Sequence, residues 1–114
     1  MSFSALLGEL TRIHGVRGAL VVSREDGIVV AEALMEGIDG RAVAALAASL
    51  SGRVAGLTRT LGQPEPVFWQ LQASDGMLLG ASGEEGLLLV LVAAAEVNAG
   101  ELRLQLLRAA ERAA

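Results

Sequence analysis

The sequence predicts a single α/β domain over residues 1–114: a five-stranded, mostly antiparallel sheet with helices on both faces, in the order helix, hairpin, helix, three-strand meander, helix. Three observations carry this. Asp26-Gly27 and Asp75-Gly76 each stand between short runs rich in Val, Leu and Ala, the local signature of a hairpin. Three segments repeat apolar residues at helical spacing. One run, Leu87 to Ala94, is apolar at every position, which fits a central strand covered on both faces.

The elements follow in order. Residues 3 to 13 set Phe3, Leu6, Leu7, Leu10 and Ile13 on one side of a helix, with Glu9 and Arg12 opposite; Ser2 or Ser4 caps its start and Gly15 stops it. Arg17–Ser23 and Ile28–Ala33 form the first hairpin, closed by Arg24-Glu25-Asp26-Gly27. After a loop, Asp39 caps a helix over residues 40 to 61. Val43, Leu46, Leu50, Val54, Leu57 and Leu61 fall in one stripe there and are expected to lie on the sheet. The opposite side carries Ala44, Ala45, Ala48, Gly52, Ala55 and Gly56 where charges would serve a face that meets only water. Glycine inside a helix costs about 1 kcal/mol relative to alanine, so this face is expected to meet another backbone closely. A drift of composition towards Ala and Gly is the alternative.

Pro64 and Pro66 introduce an edge strand, because proline cannot donate to a ladder. Along it Val67, Trp69, Leu71 and Ala73 share one face, and Phe68, Gln70 and Gln72 the other. Ser74-Asp75-Gly76 turns into Met77–Ser82, and Gly83–Gly86 turns into the apolar run. The last helix, residues 98 to 113, buries Ala99, Leu102, Leu106 and Ala109, with Leu104 and Leu107 pointing elsewhere.

Composition removes several function classes. A net charge of -4 and a pI near 4.9 disfavour nucleic-acid binding, which needs a basic face. There is no cysteine and one histidine, His14, so neither a Cys–His metal set nor a thiol nucleophile is available. No lysine occurs, so glycines 80, 83 and 86 do not belong to a phosphate-binding P-loop. The N-terminus has no basic leader, and the longest apolar run is half of a membrane span. A soluble cytoplasmic protein without cofactor, metal or catalytic residues, and without membrane insertion, is expected.

Two surfaces remain unexplained in a lone chain: the small-residue side of the second helix and an apolar edge strand bearing Phe68 and Trp69. Two copies pairing through both would account for them. Burial of Trp69 under a helix of its own chain is the alternative.

The hairpin GVRGALVVSREDGIVVAEA (Gly15 to Ala33), the Ala-rich helix after Asp39 and the ending VNAGELRLQLLRAA (Val97 to Ala110) resemble the Roadblock family of dynein light chains and bacterial GTPase regulators. The likeness is to the bacterial branch that includes the gliding-polarity GTPase-activating protein. The resemblance implies a homodimer that binds and regulates a small Ras-like GTPase. Its dimer contacts would fall on Ala48, Gly52, Ala55 and Gly56 of the helix and on Val67, Phe68, Trp69, Gln70 and Leu71 of the strand. Its GTPase-docking surface would fall on Arg41, Ala44, Ala45, Ala48 and Gly52. Arg41, Arg53 and Arg59 read as solvated helix arginines rather than as a catalytic finger. The chain itself is then no enzyme, at most an activator of its partner. A scaffold or polarity adaptor without effect on hydrolysis, and a small-ligand sensor, are the competing functions.

Overall fold

A computed structural model describes residues 2–113 and runs α1 (Phe3–Thr11), β1 (Val16–Ser23), β2 (Val29–Leu34), α2 (Gly40–Thr60), β3 (Phe68–Ala73), β4 (Gly76–Ser82), β5 (Leu87–Ala93) and α3 (Ala99–Arg112). The strands form one sheet in the order β2-β1-β5-β4-β3, every neighbour antiparallel. The all-apolar β5 is its central strand, as its sequence requires.

Alternation along the strands divides the core into two layers. Ala19, Val21, Leu79, Ala81, Leu89 and Leu91 face α1 and α3, whose Leu6, Leu7, Leu10, Leu102 and Leu106 close that side. Leu20, Val22, Leu88 and Val90 face α2. Each fully buried leucine or valine contributes about 1.5–3 kcal/mol relative to exposure, so these layers dominate stability.

Local chemistry fixes the ends of the helices. Ser2, Asp39 and Asn98 sit at the N-caps, where their side-chain oxygens accept from the amides of Ala5, Ala42 and Glu101 at 3.2, 3.2 and 3.1 Å. Gly15 leaves the α1 turn at φ +87°, and a side chain there would run into Val97. Gly27 takes φ +72° in the first hairpin, as Asp-Gly requires.

The second Asp-Gly behaves differently. Ala73 pairs directly with Gly76, so Ser74 and Asp75 form the turn and Gly76 opens β4. A Cβ on Gly76 would lie 3.0 Å from the Ala93 carbonyl oxygen, so this glycine serves strand approach rather than turn geometry. The left-handed positions lie instead at Glu85 (φ 56°) and Gly86 (φ 75°), between β4 and β5.

The facing of α2 also differs from the sequence expectation. Its buried residues are Gly40, Ala44, Ala47 and Ser51, while Leu46, Leu57 and Leu61 are 61%, 59% and 64% exposed. The reason is size. The strands already supply large side chains to this layer, so the helix settles on its small residues. The leucine stripe is left on a flank.

At the β3 end of the sheet, the Trp69 indole lies over Gly80, where any Cβ would collide with the ring. On the other face the Arg103 guanidinium stacks on Phe68 at 5.5 Å. Gly80→Ala is therefore expected to lower unfolding free energy by about 1–3 kcal/mol, the range for overpacking a close-packed site. A denaturant titration reads this as a reduced midpoint with an unchanged slope.

Candidate protein-interaction surface

Helical spacing gives α2 three sides above the sheet. One flank carries Val43, Leu46, Leu50, Val54 and Leu57, continued by Leu61 at the C-cap. The opposite flank carries Arg41, Ala45, Ala48, Gly52, Ala55, Gly56 and Arg59. Ser49, Arg53 and Thr60 point away from the protein and are exposed.

The leucine flank borders an uncovered part of the sheet. Val43 and Leu46, with Leu71, Ala73, Gly76, Met77, Leu78 and Val92, line an apolar groove of about 240 Å³. The groove runs to β3, whose outer edge has no neighbouring strand among the described residues. Leu71 is 51% exposed on that strand, and Val67, just before it, is 66% exposed. A strand edge of this kind presents a free row of amide and carbonyl groups.

The two edges of the sheet are unlike. Val21 pairs with Ala31 and Val22 with Val29, so Val30 is an extra residue that bulges β2. Such a bulge twists an edge away from further pairing. β3 keeps an unbroken register with β4 from Phe68↔Ala81 to Ala73↔Gly76. The straight edge is thus beside the exposed leucines.

The small-residue flank faces the β1–β2 turn. A Cβ on Gly27 would lie 3.3 Å from Ala45 Cα and 3.5 Å from Ala48 Cβ, so this flank is already close to its own chain. Two open grooves run along it. One, about 450 Å³, is lined by Gly27, Ile28, Val29, Arg41 and Ala45. The other, about 490 Å³, holds Arg24 and Arg59 with Glu25 and Glu65 over Ser49, Gly52 and Ala55. Among the described residues no group of three or more His, Cys, Asp or Glu side chains is placed to hold a metal ion.

The residues named from the sequence divide accordingly. Ala44 is wholly buried against the sheet, which removes it from any docking surface. Ala48 is half-buried beside the hairpin turn. Arg41, Ala45 and Gly52 are exposed, and Ala55 and Gly56 are half-buried, all on the flank away from the leucines. On β3, Gln70 and Leu71 are exposed, while Phe68 and Trp69 are half-buried on opposite faces. The Trp69 Nε1–H donates to Ser51 Oγ at 2.7 Å, so the tryptophan does pack under its own helix. Leu46, Leu57 and Leu61 are the residues that sequence reasoning placed in the core. The apolar second flank of the same helix was the one signal that its sidedness was open.

A family model of the Roadblock/LC7 domain matches residues 3–93, from α1 through β5. The chain belongs to the Roadblock/LC7 family. It is 32% identical over 107 residues to the uncharacterised protein MJ1340 of Methanocaldococcus jannaschii, covering 94% of this chain and 92% of that one. Among solved structures it is similar to an MglB with tetrameric arrangement, at 28% identity and a TM-score of 0.85, over 96% of this chain and 82% of that one. It is also similar to the gliding protein MglB from Thermus thermophilus, at 26% identity and a TM-score of 0.79, over 96% and 89% of the two chains. The order of helices and strands found here is the fold of this family.

Gly52 and Gly56 have open space around the position a Cβ would take. Gly52→Ala and Gly56→Ala are each expected to stabilise the isolated fold by about 1 kcal/mol through helix propensity. Thermal melts at a concentration low enough to avoid assembly check this. A destabilised variant would mean that the space is filled within the chain.

Proposed function

We propose that this chain is a homodimeric protein-interaction module that binds and regulates a small Ras-like GTPase. The observation that carries the pairing is a single continuous surface: the exposed α2 leucines, the 240 Å³ apolar groove and the straight edge of β3. A second copy offers the same three features. About a two-fold axis, two β3 edges pair antiparallel and extend the sheets into one, while leucines of each α2 cover the groove region of the other. Solvent contact along so much apolar surface is costly for a lone chain, and burial at about 25 cal/mol per Å² favours the pair.

The partner part of the reading rests on the family and on the likeness to MglB. Once the leucine flank is covered, Arg41, Ala45, Gly52 and Arg59 stay on the side facing the hairpin turn. The paired helices then make a platform for the GTPase. In this reading the chain performs no chemistry of its own and acts on its partner's nucleotide turnover. Among the described residues no helix is long and apolar enough to cross a membrane; we place the pair in the cytoplasm.

Light scattering on the purified chain is expected to give about twice 11.7 kDa. Leu46→Arg and Leu71→Arg alter exposed side chains, so folding stability should change by no more than about 0.5 kcal/mol while the mass falls to that of a monomer. A dimeric double variant would show that the pair forms elsewhere. With a small Ras-like GTPase of the same organism, saturating dimer is expected to bind and to speed GTP hydrolysis. Binding with an unchanged rate would make the chain a scaffold or polarity adaptor instead.

A further inference from the structure

We propose that the Trp69–Ser51 hydrogen bond is the positioning tie that holds the leucine flank of α2 in register with the edge of β3, so that a second copy can meet both at once. The inference rests on the pairing proposed above and names the residues that keep the pairing surface in shape.

Ser51 is the one polar side chain buried among the described residues, and its hydroxyl accepts the indole N–H at 2.7 Å. It is also the last buried residue of α2. Beyond it, Leu57 is exposed, and the Thr58 and Thr60 hydroxyls bond back to the Ala55 and Gly56 carbonyls of their own helix. Val54, Ala55 and Thr58 keep partial burial in the half of the helix that carries Leu57. The Ser51 bond is the side-chain hydrogen bond that ties this helix to the sheet. Serine is a poorer helix former than alanine. It stands where the indole needs an acceptor.

The other end of the tie is equally placed. Trp69 belongs to β3, which is held on one side only, by β4. Its ring is seated on Gly80, where no side chain larger than hydrogen fits. Helix, indole and strand thus form one stack across the α2 layer. Without the bond, α2 is free to turn or slide by a fraction of a helical step, and its leucines lose their alignment with Leu71 and the strand edge. Ser51 lies beneath the helix, so a second copy does not reach it, and changes there leave the exposed surfaces as they are.

The test uses the full chain with Ser51→Ala and with the isosteric pair Ser51→Thr, which keeps the hydroxyl, and Ser51→Val, which replaces it. Two readouts are taken: the dimer dissociation constant by sedimentation equilibrium, and the emission of Trp69, the only tryptophan in the chain. The Ala and Val variants are expected to shift the emission and raise the dissociation constant about tenfold, while the Thr variant stays near the parent in both. Ala and Val variants that shift the emission but pair as tightly as the parent overturn the inference. So does equal weakening by Thr and Val, which would assign the effect to shape. If the Ala variant fails to fold, the Thr–Val comparison decides alone. A parent chain that stays monomeric at every concentration overturns the pairing itself, a result seen before any variant is made.

Discussion

Side-chain volume on the two faces of β5 and β1 constrains most of this structure. Leu88 and Val90 point to one layer, Leu89 and Leu91 to the other, and all four are fully buried. On the first face Leu20 and Val22 add further bulk. The helix crossing that layer approaches on Ala44, Ala47 and Ser51, whose small side chains let it sit close over Leu20, Val22, Leu88 and Val90. The opposite layer is closed differently: leucines of α1 and α3 meet Val21, Leu79, Leu89 and Leu91 as well as Ala19, Ala81 and Ala93 of the strands.

One consequence is functional. Because α2 spends its small residues on its own sheet, its leucines are left beside the groove at the end of β3. The same crossing leaves Leu71 and Leu78 only partly covered. An apolar flank, an apolar groove and an unpaired straight strand therefore coincide at one margin of the molecule. At the other margin the bulge at Val30 breaks the strand pairing. The two edges are therefore unlike, one bulged and one left straight and open to a further strand.

Much of the fold was legible in the sequence because its signals are local. β5 is continuous in apolar character, Asp39 precedes an apolar-periodic segment, and Asp26-Gly27 matches the positive φ observed at its turn. The features that escaped are those set by distant residues. Both flanks of α2 are apolar, so period alone could not say which one meets the sheet; the size of Leu20, Val22, Leu88 and Val90 decides it. Gly76 reads as a turn residue until the Ala93 carbonyl is seen to approach it. Trp69 and Ser51 are 18 residues apart, and nothing near either one announces the contact. The surface named from the sequence lies on α2 and β3, and of its residues Ala44, assigned outward, is core.

Hydrogen exchange at β3 reads amide by amide whether this edge is paired. Along Phe68–Ala73 alternate amides bond to β4, and those between them point to the open edge. In a dimer paired through β3 the outward amides are bonded as well. They are expected to exchange slowly at high protein concentration and to lose protection on dilution below the dissociation constant, while amides of β5 stay protected throughout. Outward amides that exchange rapidly at every concentration, in a chain whose mass is that of a dimer, would contradict it and move the interface off the edge of β3.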